Sequence, residues 1–195
     1  MVEASTGPKP DKQAQDILNV LNQARTSPQT LVQPLQDLLK KFEGNILKMP
    51  EDQPDLKTHE GPKAVEEAIN YLKTAKPVGQ LVWNPRLALV AKAHCDDTGP
   101  KGSFMHESSK GESVKDRFKK QGKIIAKFGE NLSYGCEKAQ DIVLQLIVDD
   151  GVQTRGHRTN IFDPAFKQVG LHFAAHKNSK HMACIDFAVG FVDPN

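Results

Sequence analysis

Apolar residues recur at three- and four-residue spacing along most of this chain and alternate only towards its end. That pattern predicts a series of amphipathic helices followed by strands. After a tail covering residues 1–12, with Asp11 as cap, Ile17, Leu18, Leu21 and Ala24 mark the inner face of a first helix. Ser27-Pro28 ends it and starts a second, carrying Leu31, Leu35, Leu38, Leu39 and Phe42, with Pro34 early enough to be tolerated. Residues 43–61 are punctuated by Gly44, Pro50, Pro54 and Gly61 and read as irregular. Pro62 opens a third helix with Val65, Ala68, Ile69 and Leu72 inward, ended by Pro77 and Gly79. Asn84-Pro85 starts a fourth, with Leu87, Leu89, Val90 and Ala93 as its inner face and Trp83 packed on it; Gly99-Pro100 ends it.

Further on, Phe104-Met105-His106 lies in a loop, and Ser113 caps a short helix with Val114 and Phe118 inward. Ile124, Ile125 and Phe128 lead into residues 129–134, a strand or a sheet edge. Residues 137–150 form the clearest helix, through Ile142, Val143, Leu146 and Ile147. Val169, Leu171 and Phe173 alternate within a strand from Phe166 to Phe173, and the apolar run from Met182 to Val192 reads as a central strand. Helices outnumber strands and the strands come late, which predicts an α+β fold.

The chain has 195 residues, enough for one domain with an extension, here 13–195 after the tail. Twenty-six basic residues face 24 acidic ones, so the formal charge of +2 favours neither nucleic acid nor an anionic membrane. No apolar run approaches the roughly 18 residues of a membrane-spanning helix, and no basic-then-apolar secretory signal stands at the start, unless the chain is already processed. Three widely spaced cysteines, Cys95, Cys136 and Cys184, do not make a disulfide framework. These features predict a cytoplasmic, reduced protein, with cytoskeletal association as one setting.

The stretch Asp149-Asp150-Gly151-Val152-Gln153-Thr154-Arg155-Gly156-His157-Arg158-Thr159-Asn160-Ile161 sets a histidine between two arginines after a pair of acids. With Gly129-Glu130-Asn131-Leu132 upstream and Asn22-Gln23-Ala24-Arg25 in the first helix, it resembles the CAP superfamily, also called SCP-like: cysteine-rich secretory proteins, antigen 5 and pathogenesis-related proteins. The resemblance covers roughly residues 13–26 and 81–192. It implies a three-layer α-β-α sandwich with a mainly antiparallel central sheet, to which 28–78 is an N-terminal helical and loop elaboration. It also implies a cleft with two histidines, His106 and His157, and two acids, Glu130 and Asp149. The second acid is usually a glutamate; aspartate is one methylene shorter, and Asp150 stands beside it. Secreted members are usually disulfide-rich, which this chain is not.

Two neutral imidazoles suit a divalent transition metal, and carboxylates such as Glu130 suit the role of orienting them. No cofactor is fixed by the sequence; zinc on His106 and His157 is the candidate. The same groups could do acid–base work, but there is no His-Glu-x-x-His helix and no glycine-flanked serine elbow. Each residue also has a plain structural use: His157 fixing its loop through a backbone carbonyl, His106 as a solvated loop residue, Glu130 cross-linking the sheet. Arg155 and Arg158 are expected to pair with Asp149, Asp150 or Asp163. His94 is expected at the core's edge, and His172, His176 and His181 on the surface.

Family members are mostly non-enzymatic and bind sterols or other lipids, partner proteins or metals. A binding module therefore leads, with protein partners reached through residues 28–78. A structural subunit of a large intracellular assembly, cytoskeletal or ciliary, is the second reading, and a metal-dependent hydrolase the third.

Overall fold

The structure is a computed structural model that describes residues 7–51 and 54–193. Helix α1 (Lys12–Thr26) starts where the Asp11 carboxylate accepts the Ala14 N–H at 2.8 Å. A 3₁₀ turn (Pro28–Leu31) precedes α2 (Val32–Leu39), so the second helix is shorter than its leucine pattern suggests. Residues expected to be irregular form three two-residue strands, β1 (Phe42–Glu43), β2 (Ile46–Leu47) and β3 (Leu56–Lys57), paired antiparallel in that order. Then come α3 (Pro62–Thr74), β4 (Val82–Trp83), α4 (Pro85–Thr98), α5 (Val114–Gln121), β5 (Lys123–Tyr134), α6 (Ala139–Val148), α7 (Gly156–Phe162), β6 (Gln168–His176) and β7 (Lys180–Val192). No helix among the described residues is long and apolar enough to cross a membrane.

The main sheet has the order β4-β6-β7-β5, antiparallel except for the β4–β6 pair, with β7 inside and β5 at one edge. Alternation along β7 divides the core. Ala183, Ile185 and Phe187 join one large cluster with α1, α2, α3, α6 and α7. Met182, Cys184 and Ala188 face the other way, towards α4 and α5. The protein is therefore an α+β sandwich of helices, a mainly antiparallel sheet and helices.

Helix α4 lies directly on the sheet. A Cβ at Gly170 would stand 2.0 Å from the Ala88 nitrogen, so this β6 position admits nothing larger than glycine. The helix turns Leu87, Ala88, Val90, Ala91, His94 and Cys95 inward; Leu89 is only half-buried and Ala93 exposed, and His94 is wholly buried rather than at the rim. The Trp83 side chain packs with the opposite cluster, not on α4, and its indole N–H holds the Pro8 carbonyl at 3.0 Å. His176 is buried too, its Nδ1 hydrogen-bonded with the Ser179 hydroxyl at 2.7 Å. All three cysteines are free, Cys95 and Cys184 buried and Cys136 half-buried.

Arg25 fixes α1 against the layer it covers. It is fully buried and donates to four carbonyls: Gly79 (2.7 Å), Ile161 (2.6 Å), Asp163 (3.0 Å) and Phe166 (3.0 Å). Arg25→Met should cost about 3–5 kcal/mol, because it leaves these carbonyls without donors. Arg25→Lys should restore only part, since one ammonium cannot reproduce a planar fork of donors. Urea denaturation of the three proteins checks both expectations.

Candidate functional site

The site hangs on the edge strand β5. Consecutive side chains of a strand point to opposite faces, so Glu130 and Asn131 reach different helical layers. Glu130 turns to the α4–α5 side. One oxygen receives an N–H from Arg117 on α5, and the other lies 2.7 Å from Nδ1 of His106. Arg117 also donates to the His106 carbonyl at 2.6 Å, fixing the loop from both ends. Asn131 turns to the α6–α7 side, where its amide donates to the His157 carbonyl at 3.0 Å and its oxygen accepts from Asn160 at 2.9 Å.

His157 sits in the first turn of α7, held by Asp149, the residue that ends α6. The Asp149 carboxylate accepts the His157 backbone N–H at 2.9 Å and lies 2.6 Å from Nδ1 of its ring. The aspartate side chain is 1% exposed, so it is fully committed to this pair. A shorter acid reaches because the chain doubles back tightly: Asp149, Gly151 and Arg155 all have positive φ, at 57°, 82° and 51°. Two non-glycine residues in the left-handed region imply stored backbone strain, held by the surrounding bonds.

Asp150 does different work. Its two oxygens accept the backbone N–H groups of His59 and Glu60, each at 2.7 Å. The second acid of the cleft is therefore Asp149 alone. Arg155 and Arg158 do not pair with Asp149, Asp150 or Asp163 as the sequence suggested. Arg155 forms a two-pronged pair with Glu60 (2.6 and 2.8 Å) and a bond to Glu67 (2.8 Å). Arg158 takes Glu67 at 2.9 Å and the Ile147 carbonyl at 2.5 Å. Both glutamates belong to the elaboration, which thus braces the His157 turn.

His106 and His157 line one open cavity of about 510 Å3, together with Glu130, Thr154, Thr159 and Asn160. Each ring gives Nδ1 to a buried carboxylate, which sets the tautomer and leaves Nε2 for the cavity. The hydrogen bond that His106 donates to Glu130 raises the His106 pKa. Burial works to raise the pKa of Glu130, yet its His106 bond and the Arg117 charge outweigh that and hold it below the usual carboxylate range.

The structure sets His106, Glu130 and His157 on one cavity, with Asp149 bonded behind His157. Sequence reasoning missed the ground beneath them. Arg117, Cys184, Asp186 and His94 are buried around Glu130, with the Cys184 sulfur 3.4 Å from the Glu130 carboxylate. Burial pushes both the Asp186 carboxyl and the Cys184 thiol well above their ordinary values. Burial also lowers the His94 ring to about 4. A lone acid in the apolar run Cys184-Ile185-Asp186-Phe187 was the available signal.

The sequence model described as CAP, the Cysteine-rich secretory protein family, matches residues 66–188, a span that holds the whole cleft. The chain belongs to this family. The match starts inside α3, so α1 and the Glu60 brace lie outside it. No curated protein matches the chain. Among solved structures the chain is similar to an extracellular protein containing an SCP domain from Bacillus anthracis: 17% identity, 72% of this chain and 44% of that one, TM-score 0.48. It is also similar to an outer surface protein of Borrelia burgdorferi: 16% identity, 75% of this chain and 98% of that one, TM-score 0.49. These likenesses give no support to an intracellular setting.

The brace has a testable pH signature. The Arg155 hydrogen bond and the Gly151 N–H depress the Glu60 carboxyl from 4.5 to about 2. A depressed carboxylate stabilises the fold above its unfolded pKa and loses that contribution as pH falls through the folded one. Glu60→Gln should therefore be less stable than the native chain by a constant amount above pH about 5, with the gap closing between 4.5 and about 2. Urea denaturation across this range measures the gap. A gap independent of pH would show that Glu60 acts through shape and not charge.

Proposed function

We propose that the chain is a non-enzymatic binding domain whose cleft takes a divalent transition-metal ion of the zinc class on Nε2 of His106 and His157. One observation carries this reading: both imidazoles line a shared cavity while a buried carboxylate holds each Nδ1, which leaves Nε2 as the uncommitted nitrogen of each ring. That is how proteins orient and strengthen imidazole ligands. Two protein ligands leave coordination positions open to water or to a donor group from a bound molecule. The reading rests on the geometry of this chain and on the habits of two-histidine sites. It needs no enzyme activity.

Calorimetric titration with zinc tests it. The native chain should take up one ion in the cleft, His157→Ala should lose that heat, and Asp149→Asn should weaken binding by about 10–100-fold while keeping both rings. Identical titration curves for the native chain and His157→Ala would remove the proposal.

The elaboration supports the second part of the reading, a protein partner met through residues 28–78. Its helices pack on the core, but β2 and β3 leave Ile46 43% and Leu56 51% exposed on one small sheet. Three free cysteines suit a reducing, intracellular setting for that partner. Ile46→Ser with Leu56→Ser should leave the melting temperature within a few degrees and reduce the partners recovered and identified by mass spectrometry. Unchanged recovery would place the partner surface elsewhere. Lipid or sterol is the remaining ligand class, and mass spectrometry of the same samples reports it.

A further inference from the structure

A buried polar group lies behind the cleft. Cys184 and Asp186 point from β7 towards the α4–α5 side, below Glu130 on the neighbouring strand. The Cys184 sulfur stands 3.4 Å from Oε2 of Glu130 and 4.0 Å from Oδ2 of Asp186, and one donor atom from each residue lies within 4.8 Å of the other two. All three residues are buried.

Around this group the hydrogen bonding is incomplete. Among the described residues five buried side-chain polar atoms near this group have no hydrogen-bond partner: both ring nitrogens of His94, Nε of Arg117, the Tyr134 hydroxyl and Oδ1 of Asp186. They belong to residues gathered about Glu130 and Cys184. Native interiors leave few such groups, and a cluster of them signals a missing occupant. His94 is 0% exposed and lies on α4 between Ala91 and Cys95, which pack with Cys184.

We infer that Glu130, Cys184 and Asp186 form an interior site for a thiophilic divalent cation such as zinc, behind the cleft and sharing Glu130 with it. The donor set is one sulfur and two oxygens, all accepted by that ion. The spacing fits: bonds of about 2.3 Å to sulfur and about 2.0 Å to oxygen at tetrahedral angles place the two donors about 3.5 Å apart. The observed sulfur–oxygen separations of 3.4 and 4.0 Å bracket that edge. Charge fits as well. A dication beside Arg117 balances a thiolate and two carboxylates, groups that otherwise crowd like charges in a buried space. Glu130 keeps its His106 and Arg117 bonds, since a carboxylate has lone pairs for about four partners.

Cobalt(II) is the probe, because thiolate ligation gives it an intense near-ultraviolet charge-transfer band that histidine–carboxylate ligation does not. Protein expressed in cobalt-supplemented medium and desalted should hold two equivalents and show the band. The His106→Ala/His157→Ala double variant should hold one equivalent and keep the band. Cys184→Ser should hold one and lose it, while Cys136→Ser keeps it. X-ray absorption of the native chain needs no variant and should find a sulfur at about 2.3 Å from half of the cobalt. Absence of sulfur ligation in the native chain, which leaves buried waters as the occupants, overturns the inference, as does a band that survives Cys184→Ser. Failure of the cleft reading looks different: the double variant would then match the native chain in cobalt content.

Discussion

The fold depends on one buried cation. A guanidinium without water must find oxygen on every side, and Arg25 finds it in four backbone carbonyls contributed by the segment before β4, the end of α7 and the turn into β6. Burial lowers its pKa, but an arginine stays charged across any ordinary pH. The bonds are directional, so they fix where α7 ends, and α7 begins at the residue before His157. The position of a cleft histidine is thus inherited from a helix near the N-terminus. Asp149 and the Glu60–Arg155 pair complete the restraint from the other end of the same short helix.

Much of this was legible in the residues. Helix starts at Asp11, Asn84 and Ser113 followed from capping chemistry, and β7 followed from an apolar run long enough only for a buried strand. The cleft residues stood in short motifs, and Asp149 with His157 is a local pair eight residues apart. What escaped notice was long-range or disguised. Glu60 and Arg155 meet across 95 residues, and no periodicity links an acid in a proline-punctuated stretch to an arginine in a turn. Three two-residue strands carry too few positions for alternation to show. His94 and Arg117 look like outward residues of amphipathic helices, because sequence pattern assigns polar side chains to water unless a partner is known. Leu89 and Ala93 misled for the complementary reason: the face of α4 is set by its close approach at Gly170, which no hydrophobic count of α4 alone reports.

The brace from the elaboration changes what the family domain is in this chain. Glu60 and Glu67 come from segments at or beyond the margin of the family match, yet they hold the arginines on either side of His157. These glutamates hold the site's turn from outside the cavity. The strained backbone of the turn is consistent with that arrangement, since left-handed aspartate and arginine persist only where neighbours over-determine them.

The edge position of β5 has a thermodynamic consequence. His106 belongs to the layer of α4 and α5, His157 to the layer of α6 and α7, and a single strand stands between them. Nothing in an unfolded chain brings these two rings together. Any ion or molecule that grips both therefore binds the native state in preference, and its binding energy adds to the free energy of unfolding in proportion to the logarithm of its concentration. An occupant that bridged both rings would act as a removable crosslink between the outer layers of the sandwich, serving in this disulfide-free chain the purpose that covalent bridges serve in others.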